Sequence, residues 1–166
     1  MADIAALSPS ELDAHFMRRS FDVARRALTH GNHPFGAILV DNEGEVLIEA
    51  ENGYMPSRDG TAHAERLLAT QACTTIPADI LGTATLYSSA EPCAMCAGAM
   101  YWAGIGRLVY GLSEHRLGDF TGNHPENPTL DLPCREVFRR GQRPTEVVGP
   151  LLEEEAAAPH EGVWNK

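Results

Sequence analysis

The spacing of apolar residues near the N-terminus predicts one long helix. The sequence SPSE at positions 8–11 has the serine, proline and glutamate order of a capped helix start. Apolar residues then recur every three or four positions as far as Leu28. The pair His30-Gly31 ends this pattern, so we expect the helix to run from Pro9 to that point.

Beyond this helix, short apolar runs alternate with segments of helical spacing. The runs Phe35–Val40 and Val46–Ala50 flank the turn sequence DNEG and predict a β-hairpin. The remaining pattern predicts strands at Thr83–Ser88, Arg107–Gly111 and Thr145–Val148, and helices at Thr61–Ala72, Ala94–Ala103, Pro133–Arg140 and Leu151–Ala158. This alternation predicts an α/β layer fold with a mixed sheet, parallel after the opening hairpin.

The stretch Ser113–Leu132 contains two glycines and two prolines and predicts an irregular loop. A loop of this length in a compact chain more often has a function than not. Because the chain has 166 residues, we expect residues 1–166 to form a single domain, with 149–166 as a C-terminal helix and tail.

Composition narrows the class of protein. Hydrophobic residues make up 43% and charged residues 22%, which excludes wholesale disorder, a collagen-like fibre and a disulfide mini-scaffold. The sequence has neither an apolar run of membrane-spanning length nor a signal-peptide pattern. We therefore expect a soluble cytoplasmic protein. The net charge of −10 makes nucleic acid a less favourable partner.

Two short motifs carry candidate chemistry: TAHAE, which contains His63 and Glu65, and EPCAMC, which contains Cys93 and Cys96. Each lies at a predicted helix start, where thiolates are favoured. One imidazole and two thiolates are three metal ligands, whereas structural zinc sites usually have four. Glu65 is then placed to act on a water in the fourth position.

Two alternatives remain at this point. The C-x-x-C pair is also found in thioredoxin-type dithiols, but these lack a paired H-x-E. Cys73 or Cys134 is a possible fourth ligand of a structural zinc site, in a binding module without activity. The combination of both motifs favours a catalytic site, because H-x-E with P-C-x-x-C is the pattern of zinc deaminases.

The sequence resembles the cytidine deaminase-like superfamily, in the branch of bacterial guanine deaminases and tRNA adenosine deaminases. The resemblance runs from about Gly31 to Gly111 through HPFGAILVD, DGTAHAE and ATLYSSAEPCAMCAGAMYWAGIGRLVYG. It implies a three-layer α/β/α fold with a mixed five-stranded central sheet, and usually a homodimer. It also implies one zinc ion per chain on His63, Cys93 and Cys96, with a water as fourth ligand and Glu65 as the proton shuttle.

The resemblance also implies which residues contact the substrate. Asn52 is expected to hydrogen-bond the substrate ring, and Phe35 and Trp102 to sandwich a flat purine. Ala62 and His63 are also expected to contact the substrate. Asp119 is a candidate second acid, although a solvated loop aspartate fits its position better.

These residues predict hydrolytic deamination of a small molecule, namely a free aminopurine such as guanine, or a nucleoside. A tRNA adenosine deaminase is the alternative, supported by a basic cluster of Arg135, Arg139, Arg140 and Arg143. A cytosine-type deaminase is a further alternative.

The C-terminal sequence HEGVW at 160–164 follows an acidic helix that Pro159 is expected to end. A tail that were only solvated would have little reason to contain tryptophan. We expect this segment to fold as a lid over the mouth of the pocket, either of its own subunit or of a partner subunit. The alternative is a packing anchor far from the zinc.

Overall fold

The computed structural model describes residues 4–122 and 124–165, and its centre is a mixed five-stranded sheet. The strands are β1 (Gly36–Val40), β2 (Val46–Glu51), β3 (Thr85–Ala90), β4 (Arg107–Leu112) and β5 (Glu146–Val148). Their order is β2-β1-β3-β4-β5. Strand β1 is antiparallel to both β2 and β3, whereas β3, β4 and β5 are mutually parallel, as the sequence predicts.

Helices cover both faces of this sheet. They are α1 (Pro9–Thr29), α2 (Ala64–Thr75), α3 (Ala78–Thr83), α4 (Ala94–Ala103), α5 (Glu114–Thr121), α6 (Cys134–Arg139) and α7 (Glu153–Ala157), with 3-10 turns at Ile4–Ala6 and Ala158–His160. Residues of α2, α4 and α6 form one core with the sheet, and residues of α1, α5 and α7 form the other. The fold is therefore the expected three-layer α/β/α architecture.

The strands β1, β3 and β4 are buried on both faces because neighbouring side chains enter opposite cores. In β1, Leu39 packs in the core of α2 and α4, whereas Ile38 packs in the core of α1. This is why the strands read as continuous apolar runs rather than as alternating ones. Helix α1 lies so close to β1 that a Cβ on Gly36 would come within 2.5 Å of the backbone nitrogen of Ala24.

Three local predictions need correction. The stretch Ser113–Leu132 was expected to be irregular, but it contains α5, which the side chain of Ser113 caps and Leu117 anchors in the core. The short helix α3 was not predicted, because it has only six residues and buries one, Leu81. Strand β3 begins at Thr85, two positions later than predicted, because α3 continues to Thr83.

Candidate active site

The sheet topology brings the candidate residues to one edge. Strands β2, β3 and β4 run in the same direction, since β1 is antiparallel to the first two and β4 is parallel to β3. Their carboxyl ends therefore share an edge, and Asn52, Glu91 and Glu114 follow them in sequence there. Strand β1 starts from the same edge, next to Phe35. Residues far apart in the chain thus meet around one cavity.

The three candidate metal ligands converge at two helix N-termini. His63 is the N-cap of α2, Cys93 is the N-cap of α4, and Cys96 lies in the first turn of α4. The imidazole Nδ1 lies 3.7 Å from the Cys93 Sγ and 3.5 Å from the Cys96 Sγ. All three ligand atoms lie within 4.8 Å of one another.

These separations fit tetrahedral zinc. With a Zn–N bond of about 2.0 Å and a Zn–S bond of about 2.3 Å, the tetrahedral angle separates nitrogen from sulfur by about 3.5 Å. His63, Cys93 and Cys96 can therefore hold one zinc ion through Nδ1 and the two sulfurs. Nδ1, rather than Nε2, faces the two sulfurs, a choice that the sequence leaves open.

The pKa values of the two thiols also favour the binding of a cation. A hydrogen bond from Cys96 lowers the pKa of Cys93 to about 4, and the same pairing raises the pKa of the buried Cys96 thiol. A hydrogen bond with Cys93 raises the pKa of His63. The site thus already favours one thiolate, the form in which cysteine binds metal.

Cys73 and Cys134 do not belong to this group. Cys73 is exposed on the outside of α2. Cys134 is buried at the start of α6, where burial, together with the nearby Glu91 carboxylate, raises the pKa of its thiol to about 12. Among the described residues, His63, Cys93 and Cys96 form the only cluster of three such side chains with ligand spacing.

Glu65 lies beside these ligands in the first turn of α2 and is only 5% exposed. Burial raises the pKa of its carboxyl group. The Ser88 Oγ lies 3.0 Å from the Glu65 Oε1 and 2.6 Å from the carbonyl oxygen of Ala90. Ser88 can therefore donate to the ionised carboxylate, or accept from the protonated one while donating to Ala90. The sequence analysis did not single out Ser88, because it lies in a continuous buried strand.

A cavity of about 460 Å³ opens in front of this group. Glu65, His63 and Cys93 line it together with two predicted substrate contacts, Phe35 and Asn52. Its volume is within the range of sites for small molecules, about 300–1,000 Å³. The Oδ1 of Asn52 accepts the backbone N–H of Tyr54 at 3.1 Å, which fixes the orientation of the amide.

Trp102 is not brought to this cavity within its own chain. Its side chain lies at the end of α4, is 85% exposed and contacts the edge of Tyr101. The sandwich of Phe35 and Trp102 is therefore not formed by one chain. The reason is helical geometry: Met100 and Ala103 take the inward face of α4, which turns Trp102 outward.

Two other predicted contacts also lie outside the cavity lining. Asp119 is on the exposed face of α5, 3.7 Å from Arg116, so it is a surface residue and not a second acid. Ala62 is buried, and its carbonyl oxygen accepts the N–H of Gly53 at 2.9 Å. It therefore supports the segment that carries Asn52.

Two acidic residues of the cavity, Glu91 and Glu114, have no role assigned to them from the sequence. Glu91 accepts N–H groups from the first residues of two helices, Glu114 of α5 at 2.9 Å and Cys134 of α6 at 3.1 Å. Burial, reinforced by the charge of Glu91, raises the pKa of Glu114 to about 7. A signal was present for both, because Glu91 directly precedes the Pro-Cys pair and Glu114 lies two residues after the end of β4.

The basic cluster expected to favour RNA is largely occupied by structural contacts. Arg135 donates to the Tyr110 hydroxyl and to the carbonyl oxygen of Gly149. Arg143 donates to the carbonyl oxygens of Ile105 and Tyr101. Arg135 therefore joins α6 to β4 and to the residue after β5, and Arg143 joins the loop before β5 to α4 and to the residues that follow it. In the part of the chain that the structure describes, no helix is both long and apolar enough to cross a membrane.

Comparison with known proteins agrees with this geometry. Residues 10–112 match the model of the cytidine and deoxycytidylate deaminase zinc-binding region. A probable cytosine deaminase of Schizosaccharomyces pombe is 42% identical over 156 residues, 94% of each chain. A tRNA-specific adenosine deaminase of Haemophilus influenzae is 36% identical over 134 residues, 77% of this chain and 78% of that one.

The fold also matches a solved structure, that of a guanine deaminase from Nitrosomonas europaea. The TM-score is 0.71 at 24% identity, and the match covers 92% of this chain and 82% of that one. The family match covers most of the chain and includes the three candidate zinc ligands and Glu65. The chain is thus a member of the zinc-binding cytidine and deoxycytidylate deaminase family.

Proposed function

We propose that this protein is a zinc-dependent hydrolase that deaminates a free nucleobase and releases ammonia. The observation that carries the proposal is the buried carboxyl group of Glu65, held at the base of a cavity next to the His63, Cys93 and Cys96 ligands. A purely structural zinc site has no use for such an acid. When bound, zinc supplies an acidified water with a pKa near 7.

Glu65 is the proton carrier of this reaction. Its Oε1 is paired with Ser88, which leaves Oε2 to accept a proton and pass it to the ring nitrogen beside the amino-bearing carbon. The water that attacks this carbon is the source of both protons: Glu65 takes the second one from the hydroxyl group left on the carbon and gives it to the departing amino group, which leaves as ammonia. Its raised pKa suits this exchange, because a shuttle works best when its pKa lies near the operating pH.

Asn52 and Phe35 orient the base. With its Oδ1 bonded to Tyr54, the Asn52 amide has N–H groups to offer a carbonyl oxygen of the ring. Phe35 gives the flat ring an apolar wall.

A free base fits this cavity better than RNA does. Glu91, Glu114 and Glu126 all line the cavity, and carboxylates repel a phosphate backbone. Two of the four clustered arginines hold backbone carbonyl groups of the protein. Activity on a free base should therefore depend weakly on salt, whereas RNA binding through several phosphates would weaken by orders of magnitude between about 50 and about 200 mM salt.

Among free bases we favour cytosine, because the relative that matches along 94% of the chain is a probable cytosine deaminase. Guanine is the second candidate, from the resemblance at Phe35 to guanine deaminases. The two rings present the same local chemistry, an amino-bearing carbon beside a ring nitrogen.

The test is ammonia release from cytosine, guanine, guanosine, adenosine and an anticodon stem-loop. We expect release from a free base and none from the stem-loop. Glu65→Gln should lower kcat by about 10²–10⁴-fold and leave one zinc per chain. Unchanged turnover in this variant would exclude Glu65 as the proton carrier, and turnover of the stem-loop alone would favour tRNA editing.

We further infer a homodimer in the cytoplasm. The exposed indole of Trp102 is suited to a subunit contact, and the four cysteines carry free thiols, as a reducing compartment favours. Sedimentation velocity of the protein and of Trp102→Ala tests the dimer; a monomeric wild-type protein at micromolar concentration would contradict it.

A further inference from the structure

The C-terminal segment packs against the wall of the cavity rather than over its mouth. His160 is 1% exposed and Trp164 6% exposed, and neither lines the cavity. The His160 ring contacts Phe35 edge-on, with ring centroids 5.1 Å apart. The Trp164 Nε1–H donates to the His160 Nδ1 at 3.2 Å, so the two rings form one unit. This unit lies directly behind the lining residue Phe35.

Trp164 also contacts a second part of the lining. Its ring stacks on His33, which lines the cavity, with centroids 4.4 Å apart and an interplanar angle of 27°. The edge of His124 approaches Trp164 at 5.4 Å. One indole is therefore in contact with the segment before β1 and with the start of a distant loop.

That loop, which we call the 124–130 loop, forms much of one side of the cavity. Its lining members are Pro125, Glu126, Asn127, Pro128 and Leu130. These residues are mostly exposed, so the loop has little core of its own to hold it. The Glu126 Oε2 lies 3.0 Å from the His33 Nε2, which ties the loop to the histidine that Trp164 stacks on.

We propose that Trp164 and His160 are positioning residues that hold the 124–130 loop and Phe35 in the geometry that receives the substrate. The proposal rests on the proposed function for the identity of the substrate. A wall that is already ordered lowers the entropy lost on binding, so losing the indole should weaken substrate binding more than it slows the chemical step. The segment is thus neither the lid nor the remote anchor considered from the sequence.

The experiment compares Trp164→Ala with Trp164→Phe and Val163→Ala in the zinc-loaded protein. Phe keeps a ring to stack on His33. Val163→Ala trims the neighbouring side chain but keeps its backbone bond to His160. Two quantities are measured: amide hydrogen exchange of residues 33–36 and 124–130, and KM and kcat for the base that the panel identifies.

For Trp164→Ala we expect exchange in the 124–130 loop to accelerate about tenfold, and KM to rise about tenfold with kcat changed less than about threefold. Trp164→Phe should recover most of both effects, and Val163→Ala should match the wild type. Unchanged exchange would overturn the proposal, as would faster exchange with unchanged KM.

Two further cases need their own measurement: a variant that does not fold, and a protein that deaminates no base. If Trp164→Ala does not fold, Glu126→Ala is measured instead. It removes the contact between the 124–130 loop and the histidine on which Trp164 stacks, so amide exchange in the loop should still accelerate. Unchanged exchange there would overturn the proposal. If the wild-type protein deaminates no base, the proposed function fails. The exchange measurements then still decide whether the tail holds the wall.

Discussion

The burial of His160 makes a specific prediction about acid stability. Its imidazole is enclosed by Phe35, Phe120 and Trp164, and this burial lowers its pKa from 6.5 to about 4. The facing charge of His33, itself paired with Glu126, is the smaller of the two causes of this lowered pKa. Protonation would also place a hydrogen on Nδ1, the atom that accepts the Trp164 N–H. The native state therefore requires a neutral ring.

The sign and size of the effect follow from linkage. In the unfolded chain His160 binds a proton below about pH 6.5, whereas in the native protein it stays neutral down to about pH 4. Acidification through this window therefore favours the unfolded state. With these two pKa values, His160 alone should cost about 2 kcal/mol of the free energy of unfolding between about pH 7 and about pH 5, and about 3 kcal/mol in the limit.

Urea unfolding of the zinc-loaded protein at several pH values between about 5 and about 7 measures this effect. His160→Gln keeps an acceptor for Trp164 but cannot titrate, so its stability should fall less on acidification. Loss of zinc and protonation of carboxylates affect both proteins and cancel in the difference. The exposed His15 provides the matched control, and His15→Gln should keep the wild-type pH dependence. Equal pH dependence in the wild type and His160→Gln would refute the reasoning.

Three further substitutions test the site and the fold. Cys93→Ser should abolish stoichiometric zinc, measured after dialysis, and full metal content would refute the ligand assignment. Glu91→Ala leaves two helix-start N–H groups, one buried and one partly buried, without their acceptor, so the free energy of unfolding should fall by about 2 kcal/mol with zinc retained. An unchanged urea midpoint would argue against this bridging role. Asp13→Ala removes the bidentate partner of the half-buried Arg107. The free energy of unfolding should fall by about 2 kcal/mol, while kcat/KM stays within about twofold. Unchanged stability would show that the pair contributes nothing.

Local sequence patterns determined the elements and the metal ligands. The capped start of α1 and the alternation of apolar runs depend on residues within one turn or one strand, so the sequence alone predicts them. His63, Glu65, Cys93 and Cys96 were found in the same way, since each motif lies within the first turn of one helix. The structure adds the distance between the two helix starts and the imidazole nitrogen, Nδ1, that faces the two sulfurs.

Tertiary structure alone decided what surrounds those ligands. Contacts such as Trp164 on His33 join residues at opposite ends of the chain, and no spacing pattern encodes such pairs. The arginines looked like a nucleic-acid patch until Arg135 and Arg143 were seen to bond backbone carbonyl groups. Trp102 looked like a substrate contact until the packing of α4 turned it outward. A side chain's type fixes the bonds it can make, but only the packing of distant elements decides which partner it meets.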